Sequence, residues 1–276
     1  MSEDIINGSS FIQGAIEQQI ENENLEDEEK LDFNPLRVYF GDDYVLDDKI
    51  TIHQPSIQDY IDKGEDAMNR VIAPFIANTT AYRVQLWDIG IDWNQITNME
   101  LIELLFKTID FECSKIIFGN IHFDTFERYK KTLNDETTFV LYSPEDDIEL
   151  DEDKLNKICK YIQFMFSARP IEEEFVSNKV LKQDLINNDR LKQLQRKKEK
   201  HNQSMLSMIS ACLNHPGFKY KKNELRDVGI YEFMDSVNRL QIYESSRSFL
   251  LGRFNGFCDL SKIDKKEFDF MRDINA

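Results

Sequence analysis

The side chains able to do chemistry in this chain are four histidines, four cysteines and a large excess of carboxylates. His53, His122, His201 and His215 are scattered, with no HxxxH or HxH spacing, so they form neither a metal cage nor an evident general base and are read as structural or surface residues. Cys113, Cys159, Cys212 and Cys258 lie far apart without a CxxC pair or a neighbouring histidine. They read as free thiols packed like small hydrophobes in a reducing compartment. Asp42, Asp43, Asp47 and Asp48 resemble a calcium loop only in number, because the alternating ligand spacing, the central glycine and the closing glutamate are missing. A solvated turn is the expectation there. Asp88 and Asp92, in WDIGIDW, have no visible catalytic partner and are expected to cap backbone amides. No GxGxxG, GxxxxGK[ST] or GxSxG is present, and the ten glycines fall in turns. The expectation is therefore a binding or assembly protein, with no enzyme activity, no cofactor and no metal.

The elements that would position a binding surface follow from patterning. The 276 residues, 41% of them apolar and including 20 Phe, suffice for a real core. A formal net charge of −17 opposes attraction to nucleic acid or an anionic membrane surface. No apolar run reaches the length of a membrane span, and the first 30 residues lack the pattern of a signal peptide, so a cytosolic location is expected. Four segments are expected: an acidic mobile tail over 1–34, an α+β domain over 35–170, a charged helix or linker over 171–204, and a helical domain over 205–276. In the tail, FIQGAIEQQI at 11–20 has helical apolar spacing.

The fold class expected is α+β and mostly α-helical. RVYF and KITIH flank a polar turn and predict a β-hairpin. Ser56 with Asp59, and Thr97 with Glu100, have capping-box spacing and predict two helix starts. Gly64 weakens the first helix in its middle, Asn78-Thr79-Thr80 signals another start, and Gly90 a stop. KIIFG at 115–119 and TTFVLYS at 137–143 read as strands, and the polar stretch between them is left open. KLNKICKYIQFMFSA predicts a helix that ends before Pro170. From Lys179 to Lys200 eight Lys or Arg face three acids, which reads as a solvated basic helix face or as a docking strip for acid groups.

Candidate partner-binding residues come from two places. Trp87 and Trp93 would anchor a partner, or would wedge into the turn between two helices, which is the preferred reading. The C-terminal part predicts a helical hairpin: an apolar helix ending at Asn214-His215-Pro216-Gly217, then a second from near Asp227 that runs on through SSRSFLLGRF. Met205, Met208, Phe218, Tyr231, Met234, Phe249 and Phe254 are its candidate contact residues. Their apolar stripes must be covered by the other helix, the N-terminal domain or another chain, a second copy included. A DNA-binding helix-turn-helix is disfavoured, since KYKK supplies few phosphate contacts against the acidic background.

Taken together, ITIHQPSIQDYIDKGE, QLWDIGIDWNQI, SMISACLNHPGFKYKKNELRDVGIYEFMDSVNRLQIYE and the closing FDFMRDI resemble a group of proteins from tailed phages and prophages of Gram-positive bacteria. An I-x-Q-P-[ST]-I opening, an LWD-x-GIDW centre and an FMDS-x-x-R helix recur there in this order, over about residues 35–275 here. The resemblance implies a virion-morphogenesis protein, similar to tail assembly chaperones that bind the tape-measure and tail-tube proteins. The alternative it implies is a tail, neck or baseplate component retained in the virion. Either role places the chain in the bacterial host cytoplasm or in the particle, with virion proteins as partners and no catalytic residue to carry over.

Overall fold

The computed structural model describes residues 31–133, 136–198, 205–255 and 263–272. The amphipathic tail segment at 11–20, the boundary expected near residue 200, His201 and Cys258 lie outside the described residues, as does the side chain of Phe254. Residues 35–276 form one compact unit that is mostly helical, with two small antiparallel sheets.

Local sequence decides the first helices. A short helix α1 (Pro35–Tyr39) precedes a two-stranded ribbon, β1 (Tyr44–Val45) against β2 (Thr51–Ile52). The expected hairpin is thus present, but its first arm is not RVYF: Pro35 fixes a helical φ at the first position and Val38 turns into the core. Asp47 makes the ribbon's turn, its Oδ1 accepting from the backbone amides of Lys49 and Ile50 at 2.9 Å each while Oδ2 pairs with Lys154. Helix α2 (Ile57–Lys63) starts at the Ser56–Asp59 capping box, with both reciprocal bonds formed. Gly64 does more than weaken this helix. At φ 87° it ends this helix, and α3 (Glu65–Ile76) starts at the next residue.

Asn78, Thr79 and Thr80 are buried, and they form a turn in which Asn78 Oδ1 accepts from the Ala81 amide at 3.0 Å. The helix expected there begins later, as α4 (Arg83–Asp88), and Gly90 at φ 81° closes it. The Thr97–Glu100 box opens α5 (Asn98–Phe106).

One expectation is overturned at α6 (Phe111–Phe118). The β-branched pair in KIIFG predicts a strand, but Asp110 caps the Cys113 amide and Cys113, Ile117 and Phe118 fall on one buried helical face. Capping and burial outweigh the weak strand propensity of two isoleucines. The open stretch after it becomes a 3₁₀ turn and β3 (Glu127–Leu133), which pairs with β4 (Glu136–Ser143), itself paired with β5 (Ile148–Leu150). Helix α7 (Glu152–Met165) packs its buried Leu155, Ile158, Tyr161, Ile162 and Met165 inward.

Phe75 organises the core. Its ring lies 5.0 Å from Phe118, 5.7 Å from Phe106 and 5.8 Å from Phe123, all four buried, so α3, α5, α6 and the 3₁₀ turn share one aromatic cluster. Beyond it run α8 (Lys179–Lys198), α9 (Met205–Asn214) and α10 (Ile230–Asn255), the last two being the C-terminal helical pair. The connection between them carries a second 3₁₀ turn at Glu224–Asp227, so the long helix begins three residues later than the sequence signal near Asp227. It is pinned to α2 by Ile230 N–H donating to Pro55 O at 2.9 Å and Ile57 N–H donating to Val228 O at 3.0 Å.

Candidate functional site

The two tryptophans serve packing. Trp93 is 0% exposed, in a cluster with Val84, Leu86, Leu101 and Ile186, and Trp87 packs against it half-buried at 6.1 Å between rings. What covers Trp93 is the stretch after Pro170: the Glu174 carbonyl meets its Nε1, and Ile186 and Lys182 lie against the ring. Residues 171–178 form an extended strap with no strand partner, and side chains supply the hydrogen bonds that a sheet would have given. Asn78 donates to Ile171 O at 2.6 Å, Trp93 Nε1 to Glu174 O at 3.1 Å and Asn94 to Val176 O at 2.6 Å, while Glu174 N–H donates to Thr80 at 3.0 Å.

Helix α8 follows the strap and locks it with charge. Buried Arg83 is gripped by Glu174 at 2.6 Å and Asp189 at 2.5 Å, and these carboxylates outweigh burial in raising its pKa. Lys182 donates to Asp92 and lies over the Trp93 ring at 5.5 Å; Arg190 pairs with Asp88. The basic helix therefore docks on the acids of WDIGIDW within the same chain. Asp92 Oδ1 also accepts from the Asn94 amide at 3.1 Å, the capping role expected of it.

A solvent-facing site forms instead on α10. Asp235, Arg239 and Tyr243 recur every four residues, with Ser236 and Leu240 beside them, so they share one helical face. Opposite stand Tyr39 at the end of α1, Gly217, Phe218 and Lys219 from the helix connection, and Phe270 from the C-terminal segment. Together they enclose a groove of about 440 Å³, in the size range of a ligand or side-chain pocket. Its rim is apolar and open: Phe270 is 52% and Tyr243 46% exposed, their rings in edge contact at 6.2 Å.

The polar part of the wall is specific. Glu232 accepts from Lys219 at 3.0 Å and from the Tyr220 hydroxyl. Burial lowers the Lys219 pKa, yet Tyr220 and Glu232 outweigh it and leave the ammonium raised; its Nζ also sits over the rings of Tyr220 at 4.8 Å and Tyr39 at 5.9 Å. Burial raises the Asp235 carboxyl above its ordinary value, only partly offset by Arg239 and Lys219. Arg239 in turn donates through Nη1 to Arg272 O at 2.6 Å, and Arg272 pairs with Glu267 at 2.7 Å, which clamps the segment bearing Phe270 onto α10.

Of the residues singled out from sequence, Phe218 lines this groove. Tyr231 supports it from behind, stacked on Phe164 at 5.1 Å and edge-on to Tyr39 at 6.2 Å. Met205, Met208 and Met234 are half-buried along α9 and α10, and Phe249 packs on Phe268 at 6.0 Å. Sequence reasoning missed Tyr39, Asp235, Arg239, Tyr243 and Phe270 as a group. The signal for three of them was the four-residue spacing in DSVNRLQIY; nothing in the sequence placed Tyr39 or Phe270 beside it.

A second cleft of about 450 Å³ beside Gly90 is lined by Asp92, Glu100 and Glu103, but their charges are met by Lys182 and Arg128. His122 is held by Asp146, Nδ1 to Oδ1 at 2.9 Å, with its backbone N–H on Oδ2 at 2.8 Å and its ring stacked on Phe111 at 4.3 Å. Ser143 Oγ bonds Asp146 too, so this group closes a turn and does not aim a nucleophile. Among the described residues, no group of three His, Cys, Asp or Glu could hold a metal ion, and no helix is long and apolar enough to cross a membrane. No protein-family model, curated protein or solved structure matches this chain.

Proposed function

We propose that this chain is a protein-binding factor whose α10 groove receives an apolar segment of another protein, and that it acts as a phage tail assembly chaperone or morphogenesis factor. The observation that carries the binding reading is the groove itself: aromatic walls from Tyr39, Phe218, Tyr243 and Phe270, open to solvent, on a helix whose other face is buried at Ile230, Phe233 and Val237. Exposed aromatic clusters of this kind mark interfaces more often than they mark ordinary surface. Asp235, Ser236 and Arg239 of the groove are also the polar residues of FMDS-x-x-R, part of the resemblance to phage morphogenesis proteins. That resemblance supports tape-measure or tail-tube proteins as clients. The net charge of −17 suits a factor that keeps aggregation-prone partners in solution.

Co-expression with tape-measure fragments tests it. The wild-type chain is expected to hold them in the soluble fraction and co-purify, and Phe218→Ala with Tyr243→Ala to abolish this without unfolding the chain. Fragments that stay insoluble, or that co-purify equally with the double variant, refute the assignment. Mass spectrometry of virions separates the roles: a chaperone is missing from the particle, and a tail, neck or baseplate component is present at fixed copy number.

A further inference from the structure

The groove also indicates what its occupant carries. Asp235 lies on its wall with a side chain only 14% exposed. Its nearest cation is Arg239, whose Nε stands 3.9 Å from Oδ1 and whose Nη1 is committed to Arg272 O; the Lys219 ammonium also acts on it from across the groove. Lys219 is committed to Glu232, and the Ser236 hydroxyl donates to the Glu232 carbonyl at 2.8 Å, away from Asp235. A carboxylate largely withdrawn from water, whose ion pair with Arg239 is long at 3.9 Å, gains from a closer donor. Burial keeps its proton affinity high, in agreement with that geometry.

Around this carboxylate stand aromatic rings, whose faces attract cations. The same wall already shows the behaviour, since the Lys219 ammonium rests over Tyr39 and Tyr220. We infer that the groove takes a basic side chain, the ammonium of a lysine or the guanidinium of an arginine, carried on the apolar segment of a protein partner, with Asp235 as its counter-charge. The alkyl stem would lie along Phe218, Leu240 and Tyr243. A polyanion is disfavoured by the chain's own −17 charge, and a purely apolar anchor would desolvate Asp235 further with only the 3.9 Å pair to Arg239 to offset it.

This inference rests on the groove being a protein-docking site, and the test separates the two. Amphipathic helical peptides, identical except for a central Lys, norleucine or Glu, are titrated into the full chain by calorimetry, with amide chemical shifts of residues 217–219 and 235–243 reporting the location. The Lys peptide is expected to bind about tenfold more tightly than the norleucine peptide, and the Glu peptide more weakly than either. In Asp235→Asn, which keeps the side-chain shape, the Lys preference over norleucine should fall to near unity. Equal binding of Lys and norleucine peptides, or a preference that survives Asp235→Asn, overturns the basic-residue inference alone. If no peptide shifts the groove amides, the docking reading falls with it.

Discussion

Replacing Trp93 with Ala probes whether the strap and α8 are held by the core they cover. The indole is fully buried, so its removal costs about 3–5 kcal/mol from lost transfer energy and the cavity left behind. Loss of Nε1–H donation leaves the Glu174 carbonyl unsatisfied, worth about 1 kcal/mol more if water cannot enter. Lys182 keeps Asp92 when the ring is gone, so the lost cation–π contact adds little. The expected destabilisation is about 4 kcal/mol, a large share of the ~5–15 kcal/mol that holds a native domain together. For a body of this size that is a drop in Tm of about 8–16 °C. Urea unfolding followed by far-UV circular dichroism gives the free energy, and hydrogen exchange gives the location, with amides of 179–198 losing protection first. Trp93→Phe retains most of the packing and should cost about 1–2 kcal/mol. A Trp93→Ala loss under about 1 kcal/mol, or one equal to that of Trp93→Phe, would refute the account of the strap as core-anchored.

Three further outcomes are expected. Gly64→Ala forces a side chain into φ 87° between α2 and α3 and should destabilise by about 1–2 kcal/mol in urea unfolding, although the space beside it is open. His122→Gln tests a titratable staple: the hydrogen bond to Asp146 raises the folded-state pKa of His122, so its stabilising effect is complete below about pH 6.5 and fades as pH rises through the folded value. The gap between wild type and variant, under about 1 kcal/mol for a partly exposed pair, should therefore shrink between mildly acidic and alkaline buffer, and a gap that widened would contradict it. Burial pushes the half-buried Cys159 thiol up to about 12, so iodoacetamide at pH 8 should label it more slowly in the folded chain than in urea, as read by peptide mapping.

Much of the fold was legible wherever one short stretch carries both the signal and its answer. Ser56 with Asp59 and Thr97 with Glu100 name their own helix starts because a capping box closes within four residues, and Gly90 names a stop because its φ needs no tertiary support. The α10 stripe likewise fixed a buried face at Ile230, Phe233 and Val237. Tertiary packing decided the rest. KIIFG lies in a helix that buries Ile117 and sets Phe118 against Phe75, and propensity differences of a few tenths of a kcal/mol yield to such burial. The 171–178 strap has no periodicity to read, since its hydrogen bonds come from Asn78, Thr80, Trp93 and Asn94, about 80–95 positions upstream. The groove joins Tyr39, Phe218, Asp235 and Phe270, residues spread over most of the chain. Composition and spacing determined which faces are greasy and which ends are capped; which faces meet, and which one is left open to solvent, depended on contacts between residues far apart in sequence.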